Sequence, residues 1–234
     1  MNMQNIISTF CILTAMTFAL LPATSIAEQG KKASKLAQVI PPVYKPPLRG
    51  APESRIGGGT RGPGDSRPQL TVLSPNHTGL TIMASPTLYW HVSRDSQLPL
   101  EITIINEATL KTVLEVQKPN SGKAGIHHIS LADHGIELKH GVEYRWFVTL
   151  VSDENQRSND IITSATIKRI VAPDSLSSTL AKYKEIKHPV IHAEEGIWYD
   201  AIDGLSKIIN KQPTYHAAVQ QRSALLEQVG IHIE

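Results

Sequence analysis

Leu138-Lys-His-Gly-Val-Glu-Tyr-Arg-Trp-Phe-Val-Thr-Leu-Val151 sets Tyr144, Trp146, Val148 and Leu150 at every second position. Successive side chains of an extended chain point to opposite faces, so these four share one face and make a strand with one side in a core. Leu88, Trp90 and Val92 repeat the pattern upstream. Working outward, short runs of β-branched and aromatic residues recur at 70–73, 80–83, 87–92, 100–106, 112–117, 125–131, 144–151 and 161–171, punctuated by Pro, Gly, Asn and Asp. Many short strands with turn residues between them predict an antiparallel β-sandwich over 69–172. Trp90 and Trp146 are its expected central residues.

Within that stretch, Gly141 followed by Tyr144 resembles the tyrosine corner of fibronectin type III and immunoglobulin-like domains. The resemblance implies a structural Tyr144, its ring at the core edge and its hydroxyl hydrogen-bonded to backbone of the adjacent turn. The fold class expected is mainly β with an α tail: an immunoglobulin/fibronectin III-like antiparallel sandwich followed by a C-terminal hairpin of two to three helices. The opposite register puts Tyr89, His91 and Phe147 on outer faces, more apolar surface than water favours, so the helical tail or the Gly-rich arm is expected to cover part of it.

The period changes after Ala172. Pro173-Asp174 offers a helix start, and Leu176, Leu180, Tyr183 and Ile186 recur at spacings of three and four. Pro189 opens a second predicted helix, with Trp198, Ala201, Leu205 and Ile208 on its stripe, running until Pro213. A third runs over 214–229 and ends at Gly230 as its left-handed cap. The segment 196–213 resembles the second helix of a tetratricopeptide repeat. One half-repeat cannot bury a solenoid's faces, so the tail at 173–234 reads as a hairpin.

Upstream, 1–27 carries no charged side chain, and its apolar run 6–21 is short and interrupted by Ser and Thr. Ser25-Ile26-Ala27 supplies small residues for signal-peptide cleavage after Ala27; retention as an uncleaved anchor is the alternative, since no Lys or Arg precedes the run. The sole cysteine, Cys11, lies inside that segment, so the mature chain would hold no thiol for disulfides, thiolate zinc sites or nucleophiles. The next stretch, 28–68, contains Pro41-Pro42, Pro46-Pro47 and Gly57-Gly58-Gly59. It reads as an extended or mobile basic arm, with the proline-rich portion 40–48 favouring polyproline II, a spacer first and a strip bound by an aromatic groove as the alternative. Eight basic against three acidic residues give this arm +5; the whole chain carries +2, which leaves −3 after Pro68. Such a charge keeps a linker dissolved or finds anionic surfaces.

Groupings that could carry chemistry are few. His127 and His128 are adjacent on a strand, so they diverge; His134 and His140 sit in turn-rich sequence. His188, His192 and Glu195 are the best candidates for a metal-dependent hydrolase, weakened by Pro189 beside His188. There is no Gly-x-Ser-x-Gly elbow, and no phosphate-loop Lys-Ser or Lys-Thr follows the glycine triplet. No catalytic residue, cofactor, metal or nucleic-acid partner is expected. The candidate interaction surface is Arg49, Arg55, Arg61, Tyr89, Phe147, Trp198 and Tyr199.

Arg49-Gly-Ala-Pro, Arg55-x-Gly-Gly-Gly-Thr-Arg-Gly62, Gly79-Leu-Thr, Tyr144-Arg-Trp, Arg157-Ser-x-Asp160, Ile167-x-Arg169 and Gly196-Ile-Trp-Tyr-Asp-Ala201 follow one another along the mature chain. This ordered set resembles the bacterial domain of unknown function 928 family. It implies a periplasmic or secreted protein with no assigned activity. Family members often carry cysteines where this chain has Gly64 and Ser152, which implies that the arm here is held by other contacts. The leading expectation is an exported, non-enzymatic binding or structural module of the bacterial envelope, its partner an envelope protein or an anionic envelope polymer. A carbohydrate or wall-polymer binder using Tyr89, Phe147 and the basic arm is the alternative, and the metal hydrolase a third.

Overall fold

The computed structural model describes residues 41–47, 67–119 and 122–233, all within one compact unit, Val39–Glu234. The segment 1–27, Arg49, Arg55, Arg61 and the glycine triplet lie outside the described residues. Among the described residues eight strands form: β1 Leu70–Val72, β2 Gly79–Thr81, β3 Thr87–Val92, β4 Leu100–Asn106, β5 Thr112–Lys118, β6 Gly125–Ser130, β7 Glu143–Leu150 and β8 Ile161–Arg169. They make a three-stranded sheet ordered β1-β3-β6 and a five-stranded sheet ordered β2-β8-β7-β4-β5. Pairing is antiparallel except between β2 and β8, which run parallel.

The period-2 faces meet as the alternation dictates. Leu88, Trp90 and Val92 from β3 and Tyr144, Trp146, Val148 and Leu150 from β7 are all buried. Ala165 stands opposite Trp146 across the β7–β8 pair, and its small side chain leaves space for the indole. Truncating a buried indole of this kind costs roughly 3–5 kcal/mol. Tyr144 closes its turn: the Lys139 N–H donates to its hydroxyl at 3.2 Å.

Four α-helices follow, α1 Asp174–Ala181, α2 His188–Glu194, α3 Trp198–Lys211 and α4 His216–Gln228. Two boundaries differ from those expected. First, α1 stops at Ala181, and a separate 3-10 turn forms at Glu185–Lys187, leaving Tyr183 and Ile186 out of the stripe and exposed. Second, the helix expected over 189–213 is two helices. Gly196 takes φ +73°, its N–H donates to Ala193 O at 3.0 Å, and the Ile197 N–H donates to His192 O at 2.8 Å. That pair of bonds satisfies the last carbonyls of α2 and turns the chain into α3. Gly230, at φ +70°, ends α4 by the same device. Among the described residues no helix is long and apolar enough to cross a membrane.

The helices do not trail from the sandwich; they share its core. Trp198, Tyr199, Ala201, Ile202 and Leu205 of α3 and Leu225 and Leu226 of α4 belong to the same buried cluster as the sheet residues. A smaller cluster of Leu176, Ile191 and Ile197 fixes α1 against α2. β3 is buried along its whole length, because α3 lies over the face opposite Trp90.

Candidate functional site

Helix α3 is amphipathic, and its two faces make two different environments. Toward the sheets, Tyr199 drives its ring against Gly79, where an added Cβ would sit 2.6 Å from the ring's Cε2; only glycine lets the ring enter. Its hydroxyl is a junction. Trp146 Nε1–H donates to it at 2.9 Å, Ser74 Oγ lies at 3.0 Å, and it donates to Thr166 O at 3.1 Å. Burial pushes this phenol up to about 12, so it stays a neutral donor. Beside it, Trp198 Nε1–H donates to Leu73 O at 2.9 Å. Trp198 and Tyr199 are 0% and 2% exposed, so neither is the contact surface that the sequence suggested.

Tyr89 is corrected in the same way. It is 5% exposed, covered by α3, and its hydroxyl donates to Asp203 Oδ1 at 2.9 Å. Burial, then the Asp203 charge, raises it far above the ordinary phenol range. His91 is also buried, and desolvation holds it below the usual imidazole range. Phe147 remains half-buried on the outer face of the five-stranded sheet, across from Thr103 and Ser164.

Away from the sheets, α3 and α2 bound a cleft of about 420 Å³. Met83, Ile186, Pro189 and Ile208 give it apolar walls, and Asp200, Asp203, His192 and Lys207 its polar groups. Gly204 sets the spacing, since a Cβ there would lie 2.6 Å from Pro189 Cγ. Most of the ionisable side chains are engaged within the fold. Asp200, in the first turn of α3, accepts the Ile82 N–H at 3.3 Å, and desolvation raises its carboxyl to about 6. Asp203 accepts from Tyr89 and, at 2.6 Å, from Lys207 Nζ. His188 Nε2 reaches Leu180 O and Tyr183 O at 3.1 and 3.2 Å; both are acceptors, so this nitrogen carries the proton. His192 is lowered to about 4 by burial and by His188, and its buried Nε2 has no partner among the described residues.

These bonds separate the three residues considered for a metal. His188 caps the end of α1, His192 is half-buried in the α2–α3 packing and Glu195 is exposed. Among the described residues no group of three or more His, Cys, Asp or Glu is placed to hold a metal ion. His127 and His128 diverge as adjacent strand residues must: His127 stacks on Trp90 at 5.9 Å, and His128 meets Tyr89 at 5.6 Å.

Sequence reasoning missed the cleft and ranked one further feature wrongly. The strip 41–47, expected first as a spacer, takes the alternative and is docked: Tyr44 is buried edge-on against Trp198 at 4.8 Å. The alternation of Pro42 and Tyr44 inward with Val43 and Lys45 outward is a period-2 signal in the sequence. It is too short to stand out beside the prolines.

A family model described as Domain of Unknown Function (DUF928) matches residues 56–233. The chain belongs to the DUF928 family. No curated protein matches it significantly. Among the described residues, the segments that carried the resemblance are joints in this DUF928 chain. Gly79 receives Tyr199, Trp146 meets the same hydroxyl, Arg169 Nη1–H donates to Leu138 O at 2.9 Å, and Arg157 pairs with Asp160 at 2.6 Å. Gly196 turns α2 into α3.

Proposed function

We propose that this DUF928 protein is an exported, non-enzymatic binding module of the bacterial cell envelope, periplasmic or secreted. The sandwich is the scaffold, the helical half is the contact face, and the α2–α3 cleft seats the partner. One observation carries the reading: the cleft offers an apolar wall and a polar rim, while Asp200, Asp203 and His188 are each already bonded inside the fold. A general base or nucleophile needs an unsatisfied atom within reach of substrate; these have given theirs to structural partners, and the Nε2 of His192, unpartnered among the described residues, is itself buried away from the cleft surface. A concave, mostly apolar site with few polar groups suits recognition. Export is supported by the charge-free apolar run at 6–21 and the small residues before Glu28. The carbohydrate alternative loses its main platform, because Tyr89 lies under α3.

The test uses residues whose exposure tolerates change. Met83 and Ile186 line the cleft and are 49% and 37% exposed. Mature protein is expected to bind isolated bacterial envelopes saturably, and Met83→Asp with Ile186→Asp to weaken that binding at least tenfold without altering the circular dichroism. Equal binding by both proteins, or release of polymer fragments during the incubation, would refute the reading.

We further infer that the sandwich is immunoglobulin/fibronectin III-like. The order β1-β3-β6 against β2-β8-β7-β4-β5, the parallel β2–β8 pair and the tyrosine corner at the start of β7 support this. An experimental structure with β2 paired anywhere but along β8 would count against it.

A further inference from the structure

The strip 41–47 is held as a receptor holds a foreign peptide. Gln228 reads its backbone twice: Oε1 accepts the Tyr44 N–H at 2.9 Å, and Nε2–H donates to Pro42 O at 2.9 Å. The Lys45 N–H donates to Ala193 O at 3.1 Å. Both bonds from Gln228 form together only if the segment is extended, which the flanking prolines favour before binding.

A single side chain anchors the strip. The Tyr44 ring is edge-on to Trp198, stacked with the His77 ring at 5.8 Å and 10°, and its hydroxyl meets His77 Nε2 at 2.9 Å. Burial raises the phenol and lowers the imidazole, so a neutral His77 accepts from a protonated Tyr44. Gly196 forms the floor, because a Cβ there would lie 2.6 Å from Lys45 O. These receptor groups come from His77, Ala193, Gly196, Trp198 and Gln228, and the ligand groups they meet from residues 42–45. The contacts make no use of the covalent connection between the two.

We propose that this groove is a peptide-binding site for an extended tyrosine segment flanked by proline pairs, filled in cis by the chain's own strip and able to take in trans the same strip of a second copy. Exchange of an identical element conserves every contact, so cis and trans occupancy differ only through the effective concentration set by the tether. The groove is separate from the α2–α3 cleft, and failure of either assignment leaves the other intact.

A synthetic peptide spanning residues 40–48 is titrated into the mature chain carrying Tyr44→Ala, whose groove is intact but whose own strip lacks its anchor. Saturable one-to-one binding is expected, with shifts of the Trp198 indole and Gln228 amide resonances. Affinity should fall at least tenfold when the peptide's tyrosine is alanine, and at least tenfold when the receptor is the wild-type chain. Immobilised Tyr44→Ala protein should capture a His77→Ala, Gln228→Ala chain, which keeps its strip, at least tenfold better than a second Tyr44→Ala chain. If Tyr44→Ala does not fold, Lys45→Pro loosens the strip by deleting its donor to Ala193 and leaves the groove unchanged. A folded receptor that ignores the peptide, or equal capture of the two partner chains, overturns the proposal.

Discussion

Helix α3 divides two regions that meet the same backbone in different ways. Toward the sheets, Trp198, Tyr199, Ala201, Ile202 and Leu205 enter a dry interior in which one phenol serves three polar partners from three segments. Toward α2, Asp200, Asp203, Gly204 and Lys207 border a cleft where partly buried ionisable groups oppose one another. The sheet side sets the fold, and its residues are poor candidates for recognition because nothing outside can reach them. The cleft side contributes little to that core and keeps a shaped, accessible surface.

Removing the Tyr199 hydroxyl breaks the first region most directly. Tyr199→Phe leaves the buried Trp146 N–H without its acceptor and takes one bond each from Ser74 Oγ and Thr166 O, and an unmet buried group alone costs about 1–3 kcal/mol. A loss of roughly 3 kcal/mol is expected by urea unfolding. The loss should be smaller when Trp146→Phe is already present, since one orphan is then gone.

The second region is exposed by pH. Asp200 has its carboxyl raised from 3.8 to about 6, so the fold prefers it protonated and loses stability as pH rises from about 4 to about 6. His192 has its imidazole lowered from 6.5 to about 4, so the fold prefers it neutral and loses stability as pH falls from about 6.5 to about 4. The two slopes oppose, and a nearly flat wild-type profile is expected from this pair. Asp200→Asn should leave stability falling as pH drops, through His192, and His192→Leu should leave it falling as pH rises, through Asp200. Each change is on the order of 2 kcal/mol once solvent screening is allowed for. Thermal melts from pH 4 to pH 7 check the signs; parallel profiles in both variants would contradict them.

The smallest effect lies outside both regions. Arg157 bridges Glu101 and Asp160 from a half-exposed position, and its guanidinium is raised above its ordinary value by those two carboxylates. Solvent screens such pairs, so Arg157→Ala should lower the urea midpoint less than any change above, and less again in high salt.

What could be read from the chain follows the range of the forces involved. All eight strands were legible to within a residue or two, because alternation and turn residues are local. Trp90, Trp146 and the Tyr144 turn were legible for the same reason. The break at Gly196 was not, since apolar spacing continues through it and the need for glycine there is sharpened by the strip crossing at Lys45. Tyr89 read as an outer-face contact residue because its register faces away from Trp90; partial cover of that face by the helical tail was expected, and α3 supplies it over Tyr89. The cleft was invisible because Met83, Ile186 and Ile208 come from three separate segments.

The central claim is that α3 and the sandwich form one cooperative core, so the helices are not an appendage. Hydrogen exchange of the indole protons of Trp146 and Trp198 measures this, because one donates to Tyr199 of the helix and the other to Leu73 beside the sheets. Both should exchange only through global unfolding, with equal protection that falls in parallel under urea. Both indoles exchanging together through an opening that leaves the backbone amides of β7 and β8 protected would show the helices peeling from an independent sandwich, since both bonds cross that boundary, and would contradict the account.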